Sequence, residues 1–360
     1  MKNLLFGLLT IVGLAVSLHS CREEIELNGD FKETAVVYAL LDVSEHTHLM
    51  KITRAFIGPG NAYEFAQIPD SSYFPHLEGT VTELNNGIPT GVSWNLIDTT
   101  VTNKDPNGAF YAPEQKLYYF NGTLNQNYEY RLDLNINNGQ FTVTSTTELV
   151  RILSEDISGK TQPYKFVDNS NETRASNVHI TGTQNAHKLE VNLHVEFTEW
   201  IGSTPSVKSF TYRAGTADCE ENSSKLFALS GNTFMNNIVA ACTDDPLITK
   251  RTFNSITTLF TGASEDLAEY ISVNKPSTDL TQNKPSFTNL EASGDYRAVG
   301  IFTSRSTKSV YKAFIDSTLL ANLRVIDKKT TRYLCQNLGM LFCSDHPGDQ
   351  SAADNAWNCN

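Results

Sequence analysis

The sequence predicts a mainly β protein: an N-terminal β-sandwich over residues 33–150, followed by a second β-rich domain over 151–360 with one or two short helices. Three observations predict it. All five Asn-Gly dipeptides (Asn28-Gly29, Asn86-Gly87, Asn107-Gly108, Asn121-Gly122 and Asn138-Gly139) lie before residue 140, and Asn-Gly favours the positive φ angles of tight hairpins. Short β-prone runs recur between these turns. Farther on, Leu189, Val191, Leu193, Val195 and Phe197 alternate with Glu190, Asn192, His194, Glu196 and Thr198, the period of a half-buried strand.

The chain opens on a leader. Lys2 precedes a 15-residue apolar run, Leu4 to Leu18, broken by Gly7, Thr10, Gly13 and Ser17. That is short for a membrane-spanning helix and has the length of a secretory signal core. It ends in Leu18-His19-Ser20-Cys21, which resembles the bacterial lipobox, with His19 where a small residue is usual. Residues 1–20 therefore read as a lipoprotein signal peptide, Cys21 as the palmitate-type lipid attachment site and 21–32 as a lipidated tether. Several acyl chains on one cysteine anchor stably where one chain binds marginally. Arg22-Glu23-Glu24 resembles the surface-export signal of Bacteroidota lipoproteins; the alternative is an ordinary charged tether. No later segment reaches 18 continuous apolar residues, so no transmembrane helix is expected.

Charge narrows the partners. With 28 Lys+Arg against 40 Asp+Glu the formal net charge is −12. There is no basic run, so the pattern excludes a nucleic-acid groove, which needs clustered cations.

Seven strands are expected in the first domain: Thr34–Leu41, His48–Phe56, Gly79–Leu84, Val92–Ile97, Lys116–Phe120, Tyr128–Ile136 and Gln140–Thr146. Seven short strands in about 115 residues fit an immunoglobulin-like sandwich, in which Tyr128 is placed as the corner tyrosine. The 18-residue loop Ile57–Phe74 interrupts the strand pattern and is rich in aromatics. Long loops often carry function, so Tyr63, Phe65, Tyr73 and Phe74 are binding-loop candidates. The alternative is that these rings close the sandwich. In the second domain, strands are expected at Ser209–Ala214 and Arg297–Ser304, and a helix at Ser264–Val273, capped by Ser264 and burying Leu267, Ile271 and Tyr270. Thr318–Asp327 is a weaker helical segment.

Cysteines are compatible with an oxidising compartment. If Cys21 is acylated, five remain: Cys219 and Cys242 bracket a polar segment and are the expected pair, while Cys335, Cys343 and Cys359 compete, with Cys343–Cys359 able to tie down the polar tail. Cys343, Asp345, His346 and Asp349 include zinc-type ligands, but at no familiar spacing, so no metal is assigned. Drawing Cys219 to Cys242 would bring Glu220-Glu221 near Asp244-Asp245, a calcium-like cluster or simply an acidic surface. His46 and His48 would share a strand face, and His76 and His194 have no evident partner.

No nucleophile elbow, zinc-protease helix, Walker loop or dinucleotide fingerprint occurs, so no catalytic residue and no cofactor is assigned.

The stretches Val37-Tyr38-Ala39-Leu40-Leu41-Asp42, Lys51-Ile52-Thr53-Arg54-Ala55-Phe56 and Gln67-Ile68-Pro69-Asp70-Ser71 resemble the first half of an uncharacterised Bacteroidota surface lipoprotein family carrying a domain of unknown function. Tyr270-Ile271-Ser272-Val273-Asn274, Phe287-Thr288-Asn289-Leu290 and Ala298-Val299-Gly300-Ile301-Phe302-Thr303-Ser304-Arg305 resemble its later motif, with Ser293-Gly294-Asp295-Tyr296-Arg297 departing from a tighter glycine-rich turn. The resemblance implies an immunoglobulin-like N-terminal half on a lipoprotein of the outer membrane, facing the cell surface. It also implies O-glycan motifs of the Asp-Ser/Thr type, matched at Thr99 and Ser317.

The expected role is non-enzymatic binding of a protein or glycan, with the membrane engaged through the lipid anchor. The rivals are an extracellular hydrolase of glycan or peptide using scattered carboxylates, and an accessory subunit of an outer-membrane transport or secretion complex.

Overall fold

The computed structural model describes residues 32–55, 61–108, 110–152, 162–180, 183–220, 223–275, 287–313 and 325–344. The signal peptide, Cys21, Arg22, Glu23, Glu24, Ser317 and Cys359 lie outside the described residues, as do Phe56, Glu221, Asp345, His346 and Asp349.

The protein is mainly β. The first strands are β1 (Thr34–Asp42), β2 (Thr47–Arg54), β3 (Leu77–Asn85), β4 (Ile88–Asn95), β5 (Ile97–Val101), β6 (Gln115–Asn121), β7 (Glu129–Ile136), β8 (Phe141–Glu148) and β9 (Arg151–Ile152). They continue with β10 (Ser176–Ile180), β11 (Thr183–Gln184), β12 (Lys188–Ile201), β13 (Thr204–Asp218), β14 (Lys225–Leu229), β15 (Lys250–Ala263), β16 (Glu291–Ala292) and β17 (Arg297–Ala313). The short helices are α1 (Ala62–Ala66), α2 (Gly231–Ala241), α3 (Glu265–Asn274) and α4 (Lys328–Arg332). None of the described helices is long and apolar enough to cross a membrane.

One eight-stranded sheet runs β13-β12-β15-β17-β1-β2-β6-β5, and a five-stranded sheet runs β16-β8-β7-β3-β4. Asn86 and Gly87, at φ 50° and 77°, make the β3–β4 hairpin as the sequence expects. The expected Val92–Ile97 strand divides instead between β4 and β5, which join different sheets. The first core fills the space between the sheets. Ala35, Val37, Ala39 and Leu41 of β1 meet Tyr130, Leu132, Leu134 and Ile136 of β7, all at most 1% exposed. Each large apolar side chain buried this way contributes roughly 1.5–3 kcal/mol.

Strand β17 joins the two halves. Residues 297–305 run parallel to β1, Thr34 against Arg297, whereas residues 305–313 run antiparallel to β15. Its 17 residues reach about 55 Å at strand rise. The segment 33–150 therefore does not complete its own sandwich: β16, Leu290 and the first half of β17 come from beyond residue 286. Gly300, at φ 104°, faces Val37 in this pairing, and a Cβ there would lie 2.0 Å from the Val37 carbonyl oxygen. Only glycine tolerates both that φ and that approach.

The second core lies against β12, β13 and β15. Leu189, Val191, Leu193, Val195 and Phe197 are buried on the predicted face of β12. The segment expected to be a polar loop folds as β14 and α2, which bury Phe227, Leu229, Phe234 and Ile238. Phe234 stacks on Phe166 at 4.0 Å. Ser264 caps α3 as expected, but this helix has no buried residue: Ile271 is 38% exposed and Tyr270 meets Tyr38 edge-on at 6.2 Å. Of the weaker helical segment Thr318–Asp327, residues 318–324 lie outside the described residues; its last three are not helical, with Val325 and Ile326 buried, Ile326 bridging Tyr164, and Asp327 capping α4.

Candidate functional site

On the face of the first sandwich turned away from its core, alternation leaves Val36 and Tyr38 of β1 opposite Thr53 and Lys51 of β2. These residues floor a cleft of about 410 Å³, within the range of small-ligand sites. Two loops wall it. One contains α1 and the 3₁₀ turn Pro69–Ser72, and brings Ser72 and Tyr73; the other, between β5 and β6, brings Lys104, Phe110 and Tyr111. The walls are tied to each other and to the floor: the Tyr111 N–H donates to the Ala66 carbonyl at 2.9 Å, and the Lys116 N–H to the Tyr73 hydroxyl at 3.0 Å.

The charge of the cleft is opposite to that of the chain. Lys51, Arg54 and Lys104 line it, and no carboxylate does among the described residues. Lys51 and Lys104 place their ammonium groups 6.0 and 5.3 Å from the centre of the same Phe110 ring. Lys104 donates to the Tyr111 carbonyl at 2.6 Å; burial, and then repulsion from Lys51, hold its amine below the usual lysine range. The Nε of Arg54 is buried without a hydrogen-bond partner among the described residues. The Tyr38 hydroxyl is pushed up to about 12, first by its hydrogen bond with Tyr270 and then by burial, so it remains a neutral donor.

Of the four loop aromatics singled out from sequence, Tyr73 alone lines this cleft. Phe74 belongs to the core, 3% exposed and edge-on to Phe141 at 6.0 Å. Tyr63 is 57% exposed on α1, and Phe65 is half-buried there. The hydroxyl bonded to backbone a few residues upstream is that of Tyr130, two residues beyond the expected Tyr128: it accepts from the Asn125 N–H at 2.6 Å and donates to Glu83 at 2.9 Å. The two-residue offset keeps the same strand face, so periodicity alone does not separate the two residues.

The expected Cys219–Cys242 disulfide is not formed; both are free thiols. The Cys219 N–H is held by the His187 carbonyl at one end of β12, while Thr243, next to Cys242, donates to Glu199 near the other end. His187 and Glu199 are twelve residues apart along the strand, about 40 Å at 3.3 Å per residue. Glu220 and Asp244-Asp245 are held apart in the same way, so the calcium-like cluster is not assembled. Burial raises both thiols, Cys242 to about 11, and keeps them protonated. Cys335 is disulfide-bonded, and Cys343 directs its thiol at the Leu341 carbonyl.

The histidines divide. His48 is 2% exposed, bonded to the Gly122 carbonyl at 3.1 Å and stacked on Phe120, while His46 is exposed. His194 does have a neighbour, Glu196, at 3.8 Å. His76 lines a smaller cleft of about 260 Å³ with Glu78 and Asp98, where Lys116 pairs with Asp98 at 3.2 Å. Thr99 sits beside Asp98 on β5, the exposed edge of the large sheet. Among the described residues no group of three metal-ligand side chains converges.

The sequence reading missed Lys51, Arg54, Lys104, Phe110 and Tyr111. A usable signal existed for one pair: in Met50-Lys51-Ile52-Thr53 the apolar residues alternate with Lys51 and Thr53, which places both on the outer face. No family model matches the chain, and no curated protein matches it.

Proposed function

We propose that the protein is a lipid-anchored binding protein of the outer membrane, tethered through acylated Cys21 and facing the cell surface, which takes a protein or glycan ligand without transforming it. The observation that carries the binding role is the cleft on β1 and β2: exposed rings and three cations converge there with no carboxylate or histidine to act as acid or base. The lipobox and the Arg22-Glu23-Glu24 sequence support the address. Under this reading the immunoglobulin-like sandwich is a rigid frame that positions two loops.

Metabolic labelling with a palmitate analogue tests the anchor. Label is expected in the wild-type chain and absent from Cys21→Ala, and protease added to intact cells is expected to remove the protein. Label persisting in Cys21→Ala, or protection of the protein from the protease, would overturn the surface-lipoprotein reading. The hydrolase reading would draw on carboxylates such as Glu78 and Asp98 of the smaller cleft, or Glu148, Glu265 and Asp266 of the cleft beside His187, with the Glu265→Gln variant tested alongside Glu78→Gln. Turnover in a glycan and peptide panel, abolished by either variant, would replace the binding role.

A further inference from the structure

We infer that the cleft on β1 and β2 binds an acidic saccharide, a sugar unit bearing a carboxylate or sulfate; this rests on the binding-protein reading above and narrows its ligand. The charge of the lining favours an anion. In a chain of formal charge −12, three cations meet in one concavity without an opposing carboxylate. Two of them flank one ring, and Arg54 Nε has no acceptor among the described residues. Like charges held together cost free energy that a bound anion relieves.

The sugar is favoured by the rest of the surface. Phe110, 49% exposed, and Tyr73 supply aromatic surface for the apolar C–H face of a pyranose, while Thr53, Ser72 and Gln115 can meet its hydroxyl edge. An extended acidic peptide gains much of its affinity by adding a strand to an open sheet edge. The floor strands offer none, since β1 lies between β17 and β2, and β2 between β1 and β6. The ligand must therefore be held by side chains, in a volume suited to a few sugar units.

Calorimetric titration of the full mature chain in detergent tests this with four probes: trigalacturonate, a chondroitin sulfate tetrasaccharide, neutral cellotriose and hexaglutamate. Binding of trigalacturonate or the sulfated tetrasaccharide is expected, weakening about tenfold or more from roughly 0.05 to 0.3 M salt as screening grows. Binding of trigalacturonate shows that a carboxylate suffices; binding of the tetrasaccharide, which carries both groups, without trigalacturonate points to the sulfate. The same loss is expected in Lys51→Gln/Lys104→Gln and in Phe110→Ala, each with the wild-type unfolding midpoint. Equal binding of cellotriose, binding of hexaglutamate alone, or acidic-sugar binding that the variants leave intact would overturn the inference while leaving a binding protein. Silence of both acidic saccharides would also overturn it. Loss of the anchor or of surface exposure would instead strike the underlying reading.

Discussion

The two halves of β17 serve two regions that treat charge in different ways. Around the second half, Arg251 donates to Glu199 at 2.9 Å and to the Met340 and Thr243 carbonyls, and Lys188 pairs with Asp218, while the buried Lys312 is held by the Gln162 carbonyl and the Tyr164 ring instead of an acid. Although burial alone would raise the Glu199 carboxyl, hydrogen bonds from Thr243 and Arg251 hold it below its usual range. Around the first half, Lys51, Lys104 and Arg54 share a cleft without an acid. Compensated charge there locks the C-terminal strap, residues 340–343, onto β15; the cleft cations have no such structural partner among the described lining residues. Both regions use ion pairs for architecture, such as Lys116–Asp98 in the first; the cleft cations stand apart, and we propose that they serve recognition.

That contrast can be broken or sharpened by substitution. The largest effect should come from the shared strand: Gly300→Ala places a methyl 2.0 Å from Val37 O at a disfavoured φ. Overpacking and backbone strain together should cost about 3 kcal/mol or more, measured as a lower denaturant midpoint, with loss of the sandwich core. Next is Glu199→Ala, which leaves Arg251 buried and unpaired and should destabilise by roughly 3–5 kcal/mol in the same measurement.

A smaller, pH-dependent effect belongs to His48. Burial lowers its imidazole below the ordinary value of 6.5, outweighing the Gly122 carbonyl and the carboxylates of Glu45 and Asp42, which raise it. The unfolded chain then binds the extra proton first, so this contribution to stability is full above pH 6.5 and is lost as pH falls through the depressed folded value. Denaturation between pH 7.5 and 5 should show a steeper loss in wild type than in His48→Asn. The smallest effect sharpens the contrast most. Lys51→Gln should change stability by no more than about 0.5 kcal/mol, because its charge supports nothing in the fold.

Much of the fold is legible where periodicity is local. The alternation from Leu189 to Phe197 and the Ser264 cap are both where the pattern puts them. Helix α2 was hidden because Phe234, Met235 and Ile238 are separated by Asn232, Thr233, Asn236 and Asn237, a composition that reads as loop. The β1–β17 pairing joins residues 263 apart, such as Thr34 and Arg297, and leaves no local trace except Gly300. For the same reason the cleft was illegible: Tyr38, Lys51, Tyr73 and Lys104 are each an unremarkable surface residue until strand pairing and two loops bring them together.

The central claim is that recognition belongs to the uncompensated cleft and not to the matched surface of the second region. A photoreactive phenylalanine analogue in place of Phe110, compared with the same analogue in place of Thr211 on β13, tests it most directly on intact cells. The account predicts a discrete adduct from position 110, suppressed by Lys51→Gln/Lys104→Gln, and none from position 211. An adduct formed from position 211 alone would contradict it.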